Sequence, residues 1–246
     1  MRVCELGSEA MTALAGKQVL IIGGSSGIGL AAAKAAAEAG AHVTVAARTL
    51  ARLESATATI GHGAKARTID TSDDDSVEEF FRNSVWDHVV ASAGAGGRGK
   101  LPDMKVADAQ EAMNTKFWGY FRIGRAAKIS PTGSLTFIGG KLGTRPTPGT
   151  ALIASVNAAI EGLTRGLAVD LAPTRVNTIS PGVIDTPLWD QMSPQAREAM
   201  YKKAAETLPA RRIGQPEDVA QALIFLMTNP FATGTVLHLE GGALLV

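Results

Sequence analysis

The stretch IIGGSSGIGL, residues 21–30, constrains this chain more than any other. It joins the run KQVLII (17–22) to the run GLAAAKAAAEAG (29–40). An apolar run that stops abruptly at glycines reads as a strand buried on both faces. The alanine-rich run of strong helix formers reads as a helix, with Gly40 as its C-terminal cap. Each glycine between them has a physical task. Gly23 allows the tight turn, Gly27 lets backbone approach a bound pyrophosphate, and Gly29 lets the helix pack close to the sheet. The helix N-terminus then presents unpaired N–H groups to the anion. Ser25, Ser26 and Ile28 complete a loop that reads as a dinucleotide cradle.

The strand–helix alternation continues. AHVTVAA (41–47), AKARTID (64–70), DHVVASAG (87–94), GSLTFIGG (133–140), TRVNTIS (174–180) and GTVLHLEGG (234–242) read as strands. LARLESATATI (50–60), DDDSVEEFFRN (73–83), DAQEAMNTKFWGYFRIGRAA (108–127), the run from Ala151, and PEDVAQALIFLM (216–227) read as helices. A polar helix is expected in the irregular stretch that ends near Pro209. Asp73 to Asp75 complement the positive N-terminal end of their helix. This order predicts an α/β fold: a single Rossmann-type doubly wound parallel sheet of about seven strands, with helices on both faces. Residues 1–15 are expected to be an N-terminal tail and 16–246 the single domain.

Composition narrows the function classes. A net charge of +1 gives no reason to expect nucleic acid or an anionic membrane as partner. No uninterrupted apolar run reaches the ~18 residues that suggest a membrane span. Glu5 and Glu9 interrupt the N-terminus, against a signal peptide. The lone Cys4 cannot form an internal disulfide, which fits a reducing, cytoplasmic setting. The His residues lack metal-ligand spacing, so no metal is expected.

The end of the second strand bears on the nucleotide. An acid there would bind a ribose 2′-hydroxyl, whereas an Arg accommodates a 2′-phosphate. The chain has Ala47, Arg48 and Thr49, which predicts NADP(H). The letters Gly23-Gly24-Ser25-Ser26-Gly27 also match the G-x-S-x-G nucleophile elbow of hydrolases, with Ser25 as nucleophile and His238 as its base. Position in the chain argues against that reading, because the hydrolase elbow does not follow the first strand.

These motifs together resemble the short-chain dehydrogenase/reductase family, over nearly the whole chain. Ile22-Gly23-x-x-x-Gly27-x-Gly29 is similar to its T-G-x-x-x-G-x-G. IDTSD resembles its acid after the third strand, which makes Asp70, with Thr71 beside it, the implied contact of the adenine. ASAG (91–94) keeps Ala93 and Gly94 of its N-N-A-G, and MNTKFWG resembles the helix carrying a functional Asn, here Asn114. RVNTISPGVIDTP is close to its R-V-N-x-I-x-P-G-x-x-x-T-P, which places Pro181, Gly182, Ile184 and Thr186 around the nicotinamide amide.

The proton machinery departs from the family pattern. The family uses a Ser, then Tyr-x-x-x-Lys about a dozen residues later, with the Asn on the preceding helix. Here the Ser, Tyr and Lys positions hold Gly140, Ile153 and Asn157, and only Asn114 survives of the four. Lys141 and Tyr201 are the candidate substitute donors, ahead of Tyr120 and Arg145, and Trp189 is a candidate for the substrate pocket. The resemblance implies an NADP(H)-dependent oxidoreductase with an atypical proton source and a small-molecule substrate; a non-catalytic NADP(H) sensor and a structural subunit are the alternatives. It also implies a homodimer or homotetramer, with the helix from Ala151 at the interface.

Overall fold

In the computed structural model, which describes residues 13–92, 94, 97 and 99–246, the apolar runs form seven strands. They are β1 (Gln18–Ile22), β2 (His42–Ala47), β3 (Lys65–Thr68), β4 (Trp86–Ala91), β5 (Ile129–Ile138), β6 (Arg175–Pro181) and β7 (Val236–Leu239). All are parallel, in the order β3-β2-β1-β4-β5-β6-β7. The order reverses between β1 and β4, and in such sheets ligands bind beyond the strands' carboxyl ends at that point. The single Rossmann-type sheet read from the sequence is the fold observed.

Alternate side chains of the central strands feed two cores, as the period of two requires. Val19, Ile21, Val43, Val45 and Val90 face α1 (Gly27–Glu38), α2 (Leu50–Ile60) and, through Val219, Leu223 and Leu226, the late helix α8 (Pro216–Thr228). Leu20, Ile22, Val89, Leu135 and Phe137 face α3 (Asp74–Phe81), α5 (Gly119–Ala126) and α6 (Ala151–Asp170). Two further helices are α4 (Val106–Ala112) and α7 (Pro194–Thr207). Long and apolar enough to cross a membrane by length and composition, α6 instead packs on the sheet with Ile153, Val156, Ile160 and Thr164 buried.

Two local features differ from the sequence reading, and the topology disposes of its hydrolase alternative. β5 begins at Ile129, before the expected Gly133, and its pairing with β4 shifts register between Trp86 and His88. Gly133 sits at that irregularity, where a Cβ would lie 2.1 Å from the Asp87 carbonyl. The helix expected over 108–127 is interrupted by a π-helical segment, Met113–Trp118, between α4 and α5. The hydrolase alternative fails on topology: β1 and β7 are four strand steps apart, about 19 Å at ~4.8 Å per step, so His238 cannot reach Ser25.

Gly29 sets how close α1 lies to β1. A Cβ there would stand 2.2 Å from the Gly23 carbonyl oxygen, a backbone atom that cannot swing aside. Gly29→Ala should therefore push the helix away and destabilise the fold by ~1–3 kcal/mol, read as a fall on the order of 5 °C in melting temperature. An unchanged melting temperature would show that the helix start is free to move.

Candidate active site

The carboxyl ends of β1, β4, β5 and β6 lie along one edge of the sheet, and the sequence-derived residues collect there. Gly23 (φ 85°) and Gly27 (φ 52°) hold left-handed conformations in the turn between β1 and α1. A Cβ on Gly27 would meet Thr186 at 3.2 Å, so the loop after β6 folds onto the glycine turn. Gly24, which the motif reading passed over, is packed too: its Cβ would lie 2.6 Å from Val45. Ser26 is the N-cap of α1 but makes no capping bond, and the first turn holds no acid. Its N–H groups therefore remain available to an anion. Ser25 is half-buried, and Ile28 packs against the core.

Arg48 and Thr49 are exposed at the end of β2. Two residues past the end of the neighbouring strand β3 stands Asp70, whose carboxylate accepts hydrogen bonds from the Ser72 N–H (3.0 Å) and hydroxyl (2.6 Å). Those bonds hold the Asp70 carboxyl below its ordinary range, and the Arg48 charge adds to the effect. Thr71 packs against Gly119 at the start of α5. Pro181 closes β6, Gly182 touches Glu240, and buried Ile184 bridges to Gly214. Ala93 lies outside the described residues, whereas Gly94 takes φ 100°.

The proton-handling positions are arranged differently from the sequence reading. Ile153 is buried in the apolar core. A Cβ on Gly140 would meet the Asn157 amide nitrogen at 2.8 Å, so any side chain there would displace Asn157. Asn114 is not part of this cluster: it lines an open groove of about 540 Å³ with Val106, Gln110, Met113 and Trp118. The residue that enters from the same segment is Lys116, which the sequence reading missed. Its Nζ donates to Asn157 Oδ1 (3.0 Å) and to the Gly139 carbonyl (3.2 Å), and its stem passes within 3.1 Å of the Cβ position of Gly94. Asn114 was read from the letter match of MNTKFWG to the family's Asn-bearing segment, and that match does not tell which side chain of the π-helical segment Met113–Trp118 reaches α6.

Tyr201, Tyr120 and Arg145 are engaged with other groups. Tyr201 donates to Asp185 Oδ1 at 2.9 Å. Partial burial, with the Asp185 bond next, raises its phenol to about 12, a poor proton donor near neutrality. Buried Tyr120 stacks on Phe137 and donates to the Ile138 carbonyl. Arg145 donates to the Ala243 carbonyl, and Trp189 to that of Ile184. Lys141 opens a short 3-10 turn after Gly140, half-buried.

Lys116 is 6% exposed, and among the described residues no carboxylate pairs with it. Burial alone pulls its ammonium down to about 8. Below that pH the group is charged in both folded and unfolded chains, so the burial cost, about 3 kcal/mol, is fully present at neutrality. Above it the folded chain loses its proton first, so stability should rise. Relative to Lys116→Met, the wild type should gain on the order of 2 kcal/mol between pH 7 and pH 9.5 in urea denaturation. A difference that stays flat with pH would contradict a buried ammonium.

Residues 22–243 match the family model described as Enoyl-(Acyl carrier protein) reductase. The short-chain dehydrogenase/reductase ATR9 of Stachybotrys chlorohalonatus is 36% identical, over 96% of this chain and 100% of that protein. A small-chain dehydrogenase solved in complex with NADPH superposes with TM-score 0.81 at 33% identity, covering 94% of this chain and 100% of its own. The MalC Reductase/Diels-Alderase of Malbranchea aurantiaca gives TM-score 0.87 at 29% identity, covering 96% and 100%. With the fold, the glycine turn and the strand-end motifs in family order, the chain belongs to the short-chain dehydrogenase/reductase family.

Proposed function

We propose that this protein is an NADP(H)-dependent oxidoreductase whose proton source is not the family's Tyr. The observation that carries the cofactor reading is the cradle itself. Gly23, Gly24, Gly27 and Gly29 leave no room for a side chain or need none, and the uncapped, acid-free start of α1 suits a pyrophosphate. Arg48 and Thr49 would hold the 2′-phosphate, Asp70 the adenine, and Pro181, Gly182, Ile184 and Thr186 the nicotinamide end. Bound there, the dinucleotide would supply or accept a hydride. A solved relative in complex with NADPH supports the choice. Gly140 and Ile153 offer no acid, which favours a nucleotide sensor as the second reading; a sensor binds NADPH without turning anything over.

The same chain is proposed to work as a homo-oligomer through α6. Gly162 and Gly166 are exposed in its interior, with nothing within 4 Å of either Cβ position. Interior helical glycine costs ~0.5–1 kcal/mol relative to Ala, and no contact among the described residues accounts for either. Close approach by a second helix does. Glu161 Oε1, on the same helix, is buried without a hydrogen-bond partner among the described residues, and a second subunit would supply one. Trp118 and Phe121 lie exposed on the π segment and α5, which also pack near α6.

Two measurements test these readings. A charge-assisted bond to the 2′-phosphate contributes ~1.5–3 kcal/mol, so NADPH should bind about 10- to 150-fold more tightly than NADH, and Arg48→Ala should erase most of that ratio. Equal affinities in the wild type would defeat the NADP(H) assignment. By light scattering at micromolar concentration the wild type should be a dimer or tetramer. Gly162→Trp, whose Cβ would meet nothing within 4 Å among the described residues, should yield folded monomers; an unchanged mass would place the interface elsewhere.

A further inference from the structure

The family pattern sets a Lys on the helix equivalent to α6 and an Asn on the preceding helix. Here α6 carries the amide, Asn157, and the preceding segment carries the ammonium, Lys116, and the two side chains are hydrogen-bonded at 3.0 Å. The residue types have changed places across one helix–helix contact. Gly140 is part of the same unit, since a side chain there would strike the Asn157 amide. The ammonium lies where β4 and β5 end, against Gly94 and Gly139, one strand from the end of β6, where the cofactor reading puts the nicotinamide. Two of its three N–H donors are used by neutral acceptors, Asn157 Oδ1 and the Gly139 carbonyl. No anion among the described residues claims the third.

Resting on the cofactor reading above, we infer that Lys116 is the catalytic acid of this site, and that its substrate is a carbonyl, or an alkene conjugated to one. Hydride from the reduced nicotinamide forms the new C–H bond, and the π electrons that it displaces settle on the substrate oxygen. Lys116 Nζ gives that oxygen a proton, becoming a neutral amine, and regains a proton from water. An ammonium in the site stabilises an oxygen that is acquiring negative charge. It repels a cationic electrophile such as an iminium ion, which sets the substrate class. A group that burial draws toward neutral pH can act as an acid there, where an ordinary lysine holds its proton too tightly.

A merely structural Lys116 would serve only to tie Asn157 to the Gly139 carbonyl, and Lys116→Gln keeps a donor for those bonds while removing the charge. Lys116→Met removes both. The test measures three things on wild type and both variants: NADPH affinity by fluorescence, turnover of cyclic enones and aryl ketones, and binding of 4-nitrophenol with and without NADP+, read by absorbance. The phenolate imitates the developing oxyanion. NADPH affinity should hold within about twofold in all three proteins. The wild type should prefer the phenolate over the phenol by at least about tenfold, and both variants should lose that preference together with ~10²–10⁴-fold in kcat. Equal turnover in wild type and Lys116→Gln, or a wild type without phenolate preference, overturns the proposal and leaves the cofactor reading standing. A wild type that binds no NADPH overturns the cofactor reading, and the proposal with it. If Lys116→Met does not fold, Lys116→Gln decides.

Discussion

The contact between Gly29 and the Gly23 carbonyl is the constraint from which the rest of the site follows. At 2.2 Å from the Cβ position, it lets α1 start hard against the end of β1. That placement aims the free N–H groups of the first turn along the crevice where the sheet reverses its strand order. The next strand is drawn into the same contact, because Gly24 leaves room for Val45. The loop after β6 then closes from the far side, with Thr186 against Gly27. At Gly29 the close atom is backbone, which cannot relax the way a rotamer can, so that position tolerates no side chain.

A second unit is built from side chains. Gly140, Asn157 and Lys116 are mutually dependent: Asn157 needs the absent side chain of residue 140, and Lys116 needs the amide of Asn157. None of the three makes sense alone. Restoring a Ser at 140 would evict the amide, and a Lys at 157 would set two ammonium groups side by side. Keeping a cation buried without a counter-charge costs stability at neutral pH, and costs of this kind persist mainly where a group has chemistry to do. Ile153, one turn before Asn157 on α6, is buried in the apolar core.

Much of this was legible in the residues themselves. Apolar runs ending in glycine marked the strands, and the alanine-rich run and Gly40 (φ 90°) marked the first helix and its end. Asp73 caps its helix by accepting from the Ser76 N–H at 2.6 Å, as an acidic start suggests. Gly140, Ile153 and Asn157, which the resemblance sets at the Ser, Tyr and Lys positions, carry neither a phenol nor an ammonium. Counting residues could not show that an ammonium had returned from another helix. A letter match names the segment, and how Met113–Trp118 packs on α6 decides that Lys116 is the side chain bonded to Asn157.

Hydrophobic periodicity, turn chemistry and local propensity are properties of neighbouring residues, and they alone determined the alternating strands and helices, the parallel sheet and the glycine turn. The meeting of Lys116 with Asn157, 41 residues away, and of Gly27 with Thr186 depends on how the helices and loops pack over the sheet. Only the tertiary structure decided those, because a contact across the chain is set by shape and burial that no short stretch encodes.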